Sequence, residues 1–254
     1  MGGFGFVCDA SQTPFLKSWL HLMGNNISTK RDFTEDSYDE LFTVQQVLFQ
    51  TDTRTLINLP SSPIFKRYLE TMDVPILIHM VKQLHKYRPK LAPSIHQFHS
   101  RLPVRFQLQD QVFMDEKGFF DEILTEEDKT PVYKGVFKAI FDDDLGEFLQ
   151  ISNNPQFDPN KRLHYKIFPP IIRTPTLVDL CVFLNSNTIM AYLLSTGCNF
   201  TEETPLYALA GNNQVAFTVF GVKIPDFSED SNEIALLYRQ FWFFEREPPS
   251  FSDD

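Results

Sequence analysis

Apolar residues near the start of the chain recur at the three- and four-residue spacing that places them on one face of a helix. Ser37 and Glu40 have the spacing of a capping box, which marks a helix N-terminus. The apolar stripe behind them consists of Leu41, Val44, Val47 and Leu48. We therefore predict a helix over residues 37–50.

Two further helices are indicated by their start and stop signals. Ser62 followed by Pro63 is typical of an N-cap with proline at the first helical position. Another helix begins after Asp73 and ends before Pro89, because an interior proline interrupts helical hydrogen bonding. Its inward residues are Leu77, Met80, Val81 and Leu84. With shorter helices predicted near 93–100 and 117–124, residues 1–129 form a helical N-terminal region.

From Thr130 onward the pattern repeats. Four segments align on a small residue in the middle of a helix, and we call these residues the anchors: Ala139, Cys181, Ala208 and Ala235. The separations are 42, 27 and 27 residues, so the last three units keep one period and about 15 residues are inserted after the first. A repeated two-helix unit explains this spacing.

The residue four positions after each of the first three anchors predicts how the unit turns. These residues are Asp143, Asn185 and Asn212, types that tolerate the left-handed conformation that ends a helix. In the segment "AIFDDDLGEFL" (139–149) a corner is therefore favoured over a calcium loop, whose ligand and glycine positions are not matched. On this basis Asp143→Gly is expected to be nearly silent, whereas Asp143→Val should destabilise the fold.

Two motifs resemble ankyrin repeats. Thr204-Pro205-Leu206-Tyr207-Ala208 resembles the T-P-L-H-x-A opening, with Tyr207 in place of histidine, and "LLSTGC" (193–198) resembles the L-L-x-x-G-A close. About six residues of the usual period of ~33 are missing before Thr204, where the projecting finger lies. The chain is similar to divergent, finger-poor ankyrin-repeat proteins that are numerous in some protists. Strict motif spacing leaves a second register open, with the anchor at Leu209 and the corner at Asn213.

The resemblance implies a protein-binding α-solenoid. We predict an all-α fold with a helical N-terminal region (1–129), about four degenerate ankyrin-type helix-turn-helix repeats (130–247) and a flexible acidic tail (248–254). The 10 glycines and 26 phenylalanines also favour packed helices over sheets with tight glycine turns. The aromatic cluster around Trp242 either closes the last repeat or serves as a docking motif.

Charge is distributed unevenly. Residues 1–110 contain 12 Lys/Arg and 10 Asp/Glu, whereas residues 111–254 contain 11 and 23, so the acidic C-terminal part disfavours nucleic acid. Within residues 73–105, Asp73 is the only acidic residue. The basic residues of this stretch are Lys82, Lys86, Arg88, Lys90, Arg101 and Arg105. They either meet an acidic partner or form an ordinary solvated helix face.

The favoured function is a non-enzymatic interaction or scaffold protein. The residues of the first helices predicted to contact a partner are Phe183, Leu184, Tyr207 and Tyr238. This prediction requires that their side chains are exposed, and the alternative is that they belong to the core between repeats. The alternative is a cytoskeleton-associated structural protein, microtubule or axonemal, that sets its basic stretch on an acidic filament. Either role could make the chain a subunit of a larger assembly.

A metal-dependent enzyme is the least favoured function. His96 and His99 share one helical face, but no Cys or acidic residue joins them at the spacing of a zinc site. No phosphate-binding loop or nucleophile motif is present, so we predict no catalytic residue, metal or cofactor. Three unpaired cysteines suit a reducing, cytoplasmic location, with the cytoskeleton as the site in the filament-binding alternative. No apolar run approaches the ~20 residues of a membrane span. Gly2 is a poor myristoylation site because Phe6 stands where Ser or Thr is preferred.

Overall fold

A computed structural model describes residues 43–44, 47–49, 53–72, 74–107, 124–125, 128–165, 172 and 174–244. These residues form helices with connecting turns. They contain no β-strand, and the only β-type pairing among them is an isolated antiparallel bridge between Leu124 and Tyr165. The predicted all-α class is confirmed to this extent. The capping box at Ser37, the helix at 117–124 except Leu124, and the tail after 247 lie outside the described residues.

Three of the four N-terminal helices follow the predicted signals, and the first of the four is not predicted from the sequence. The helices are α1 (Thr53–Asn58), α2 (Pro63–Thr71), α3 (Val74–Tyr87) and α4 (Ala92–Ser100). The hydroxyl of Ser62 accepts the Phe65 N–H at 3.4 Å, which confirms the N-cap. Helix α3 ends before Pro89, and the single turn Pro89–Leu91 leads into α4. The four predicted inward residues of α3 are all buried.

The C-terminal part contains three helix pairs and a fourth unit in which one α-helix is followed by a 3₁₀ turn, and we call these corner units 1 to 4. Unit 1 contains α5 (Pro131–Asp142) and α6 (Leu145–Ser152), and unit 2 contains α7 (Leu177–Leu184) and α8 (Asn187–Ser195). Unit 3 contains α9 (Thr204–Gly211) and α10 (Gln214–Thr218). Unit 4 contains α11 (Glu229–Leu237), followed by the single 3₁₀ turn Phe241–Phe243.

Each unit turns at a left-handed residue, as predicted for units 1 to 3. The backbone angle φ is 54° at Asp143, 56° at Asn185 and 52° at Asn212. The corner at Asn212 fixes the anchor at Ala208 and excludes the alternative register. A fourth corner, which residue type did not indicate, lies at Arg239 with φ 58°, four positions after Ala235. Only the spacing signals it, because arginine is not among the residues that favour this conformation.

The same two main-chain hydrogen bonds close all four corners. The N–H of the residue five positions after the anchor donates to the anchor carbonyl at 2.9, 2.9, 3.0 and 2.8 Å in units 1 to 4. The N–H of the corner residue donates to the carbonyl that follows the anchor at 3.2 to 3.3 Å. This pair of bonds defines the Schellman motif. The four units therefore share one local geometry, and their anchors are all fully buried.

Side chains next to the corners join each unit to the preceding one. The Ser186 hydroxyl donates to the Ile140 carbonyl, and Asn213 Nδ2 donates to the Val182 carbonyl at 2.8 Å. In unit 4, Gln240 Nε2 donates to the carbonyl of Ala210 at 3.2 Å. All three donors come directly after a corner residue. We call this series of unit-to-unit bonds the corner ladder.

The side chain of Asp143 corrects one expectation from the sequence. Its carboxylate accepts the N–H groups of Thr188 at 3.2 Å and Ile189 at 3.1 Å, so it caps the start of α8 in the next unit. Asp143→Gly is therefore not silent, because glycine keeps the corner conformation but loses this cap.

We predict that Asp143→Gly lowers the free energy of unfolding by about 1 kcal/mol, the typical worth of such hydrogen bonds. Asp143→Val should lower it by about 2 to 3 kcal/mol, because a β-branched residue also resists positive φ. The control is Asn212→Gly, whose lost side-chain contact is an exposed bond from Gln214 at 3.0 Å. Urea denaturation measures all three, and equal effects of both glycine substitutions would contradict the capping role.

The N-terminal helices and the corner units share one buried apolar core. The ring of Tyr238 in unit 4 stands edge-on to Tyr87 of α3 at 5.1 Å and to Phe183 of α7 at 5.6 Å between centroids. Arg239 Cζ lies 5.5 Å from the centroid of the Phe49 ring. The end of α3 is thus packed against the C-terminal ends of the first helices of the units, and the candidate site lies at this junction.

Candidate functional site

The four apolar residues predicted to contact a partner lie in the core. Phe183, Leu184, Tyr207 and Tyr238 are 4%, 1%, 1% and 0% exposed. The Tyr207 hydroxyl donates to the Ile172 carbonyl at 2.9 Å. These four side chains therefore do not form an exposed binding face, and they belong to the core between the units. The sequence could not reveal the burial of these side chains because some of the residues that pack against them lie outside the units.

Three arginines of the basic stretch are bonded to main-chain carbonyls. Arg88 donates to Phe49, Arg101 donates to Ile57 at 3.0 Å, and Arg105 donates to Leu69. Ile57 and Leu69 lie in the last turns of α1 and α2, where carbonyls lack helical partners and carry partial negative charge. The three arginines thus have a structural role, which their prediction as part of a partner-binding basic surface did not include.

The lysines of the basic stretch differ from one another. Lys82 is exposed on α3, whereas Lys90 is half-buried in the turn Pro89–Leu91, and its Nζ lies 3.3 Å from the Ser186 hydroxyl in unit 2. Lys86 belongs to α3, but its side chain lies outside the described part of the structure. The basic residues and the apolar residues predicted to bind a partner therefore approach each other around Lys90.

A cavity of about 200 Å³, which we call the junction cleft, lies where α3 meets units 2 and 3. Its lining brings together four of the ten predicted partner-binding residues: Arg88, Lys90, Phe183 and Leu184. The other lining residues are Tyr87, Pro89, Leu91, Asn185, Ala210 and Gly211. The cleft is thus built by the N-terminal helices and the corner units together.

Close contact between α7 and α9 forms one wall of the cleft. A Cβ atom on Gly211 would lie 2.2 Å from the carbonyl oxygen of Phe183, so no larger residue fits there without backbone movement. Asn185 Nδ2 donates to the Gly211 carbonyl at 2.7 Å across the same contact. This wall is therefore fixed by main-chain atoms.

The electrostatics of the cleft are governed by two half-buried cations. Burial lowers the pKa of Lys90, an effect that the charge of Asp143 partly opposes, and burial lowers the pKa of Arg88 to about 10. Among the described residues neither cation forms an ion pair with a carboxylate. Burial thus disfavours the charged form of both side chains.

Comparisons with known proteins give no relative. No protein-family model, curated protein or solved structure matches the chain. Within the described part of the chain, no three His, Cys, Asp or Glu residues lie close enough together to hold a metal ion. In the same residues no helix combines the length and the apolar character that crossing a membrane requires. The geometry of the junction cleft is therefore the basis for inferring what it binds.

A second polar cluster lies beside unit 1. Asp128, with its side chain 7% exposed, accepts from the His164 N–H at 2.9 Å and pairs with Lys161 at 2.9 Å and His164 Nδ1 at 3.2 Å. Thr125 N–H donates to the His164 carbonyl at 3.2 Å. These contacts join the segments before α5 and after α6, so the cluster has a structural role.

Acid should weaken this cluster. Burial alone raises the pKa of Asp128, but the hydrogen bonds from His164 and Lys161 outweigh it and lower the pKa below its ordinary value. The stabilisation is thus complete above the unfolded pKa of about 3.9 and is lost as pH falls through the folded pKa. We predict that the stability difference between wild type and Asp128→Asn shrinks below about pH 4, measured by urea denaturation. A constant difference from pH 7 to 3 would contradict this.

Proposed function

We propose that the protein is a non-enzymatic protein-binding scaffold built on an array of degenerate ankyrin-type units. The observation that carries the proposal is the repetition of one Schellman corner in four units, joined by the corner ladder. Units that contact their neighbours through equivalent positions are the organisation of solenoid proteins, which bind other proteins along extended surfaces.

The ankyrin-type assignment has further local support. Gly197, the glycine of the L-L-x-x-G motif, has φ 98°, which few residues other than glycine adopt. The Thr204 hydroxyl of the T-P-L motif accepts the Thr201 N–H at 2.7 Å and contacts Asp179 of the preceding unit. Both motif residues therefore have a conformational or bonding role in this chain.

The junction cleft is the part of this scaffold best suited to hold a partner. Its volume of about 200 Å³ is below the ~300–1,000 Å³ of typical cofactor and ligand pockets but is sufficient for one side chain. Because the four apolar residues predicted to contact a partner are buried, we assign partner recognition to the cleft and its rim rather than to an open face of the units.

The filament-binding alternative stays a prediction without a specific observation in its favour. Arg88, Arg101 and Arg105 are bonded to main-chain carbonyls, so their donors are partly used within the fold. A filament test should therefore reverse the charge of Lys82 and Lys86 and measure co-sedimentation at physiological salt.

Chemical crosslinking in native extract tests the proposed function. The full chain, Lys90→Glu and Lys82→Glu are crosslinked in extract from the cells that make the protein, and the attached proteins are identified. We expect a discrete partner set with wild type and Lys82→Glu that is strongly reduced with Lys90→Glu. Capture of nothing beyond what an unrelated acidic protein captures would refute the proposal.

A further inference from the structure

We propose that the junction cleft binds an oxyanion, a group of carboxylate or phosphate size, between Lys90 and Arg88. The inference deepens the proposed function when the oxyanion belongs to an acidic side chain of a partner protein, and in that form it rests on that function. A small free acid presents the same chemistry and would bind independently of any partner.

The first argument is the number of unused donors. A lysine ammonium has three N–H donors and an arginine guanidinium has five. Lys90 contacts Ser186, and Arg88 donates to Phe49. Both cations line the cavity, although part of the Arg88 donor set is directed to Phe49. Among the described residues no carboxylate contacts either of them, and a buried charge without a counter-ion is unfavourable.

The second argument is that the acidic groups near Lys90 are already engaged. Asp143 accepts two main-chain N–H groups at the start of α8, and Asp142 pairs with Lys138 at 2.7 Å. The thiol of Cys181 stays neutral because burial raises its pKa. Among the described residues that line the cleft two are cationic and none is a carboxylate, so the lining favours an incoming anion, while Asp143 and Asp142 act on Lys90 from outside the lining.

The third argument is size and surroundings. A volume of about 200 Å³ corresponds to roughly six or seven waters at ~30 Å³ each, which accommodates a carboxylate or phosphate group. Tyr87 and Phe183 form apolar walls beside the cations. Low polarity strengthens the attraction between an enclosed cation and anion relative to that in water.

Competitive lysine labelling tests the inference in the unmodified chain. An amine-reactive ester labels the protein at rising acetate or inorganic phosphate, with chloride keeping ionic strength constant, and mass spectrometry quantifies Lys90 and Lys82 in the same sample. Lys82 is exposed on α3 and serves as the internal control. At an anion concentration about ten times the dissociation constant, the Lys90 rate should fall about tenfold while the Lys82 rate stays constant. A constant ratio of the two rates would overturn the inference.

A second measurement uses variants. The melting temperature of the wild type and of Lys82→Gln should rise saturably with phosphate or acetate, whereas that of Lys90→Gln should not respond. An equal rise in all three proteins would show an anion effect outside the cleft and would refute the inference. If Lys90→Gln does not fold, the labelling experiment decides alone.

A capped peptide whose only carboxylates are glutamate side chains distinguishes the two sources. Protection of Lys90 by this peptide at lower carboxylate concentration than acetate supports the partner side chain, whereas stronger protection by acetate or phosphate supports a small free acid. Crosslinked partners that are unaffected by Lys90→Glu, together with unprotected Lys90, would leave the scaffold proposal standing and reject the oxyanion site. Protection of Lys90 without capture of any protein would support the oxyanion site and reject the scaffold proposal.

Discussion

Gly211→Ala is expected to lower the free energy of unfolding by about 3 kcal/mol or more, because overpacking against main chain forces a backbone shift. A Cβ at this position would lie 2.2 Å from the Phe183 carbonyl oxygen and 2.8 Å from the Phe183 carbonyl carbon and Cα. These are backbone atoms of α7, which cannot rotate away as a side chain can. The contact joins units 2 and 3, so the substitution should separate them.

Gly135→Ala is the matched control for this prediction. Its Cβ would approach Ile151 Cδ1 at 2.9 Å, the far end of a flexible side chain, and alanine is favoured over glycine within a helix by about 1 kcal/mol. We expect Gly135→Ala to stay within about 1 kcal/mol of the wild type. Urea denaturation of both variants provides the comparison, and a Gly211→Ala protein as stable as Gly135→Ala would contradict the close packing of α7 and α9.

Asp179→Ala should have a comparably large effect, about 3 kcal/mol or more, because removing one acceptor leaves several buried donors unsatisfied. The carboxylate of Asp179 is fully buried and accepts the Thr176 N–H at 3.1 Å and the Thr176 hydroxyl at 2.7 Å. It also accepts the hydroxyls of Thr201, at 3.2 Å, and Thr204. One side chain therefore caps α7 and fastens it to the start of unit 3.

Asp142→Ala is the control for Asp179→Ala. Asp142 is exposed and its ion pair with Lys138 lies on the surface of α5, so its loss should change stability by less than about 1 kcal/mol. Both variants are compared by thermal and urea denaturation. If Asp179→Ala unfolded no more readily than Asp142→Ala, the Asp179 network would not be a structural connection between units.

Local geometry could be predicted from the sequence because it depends on single residues and their spacing. The N-cap at Ser62, the end of α3 before Pro89 and the corners at Asp143, Asn185 and Asn212 follow from intrinsic backbone preferences. These features need no knowledge of what packs against them.

The candidate site depends on contacts between distant segments, which one sequence does not encode in a readable form. The Tyr238 ring packs against Tyr87 and Phe183, which lie about 150 and 55 residues earlier in the chain. Arg101 and Arg105 were assigned to a charged surface, yet they bond to carbonyls of α1 and α2. A basic residue gives the same sequence signal whether it faces a partner or the end of a helix.

The proposed scaffold role depends on the four equivalent corners, and amide hydrogen exchange measured residue by residue tests these corners most directly. The deciding amides follow the corners, at Asp144, Ser186, Asn213 and Gln240, and each donates to its anchor carbonyl. All four should exchange at least about a hundredfold more slowly than in an unstructured chain, because closed hydrogen bonds protect amides from exchange. Exchange of the Asn213 and Gln240 amides at the unstructured rate would contradict the repeated array.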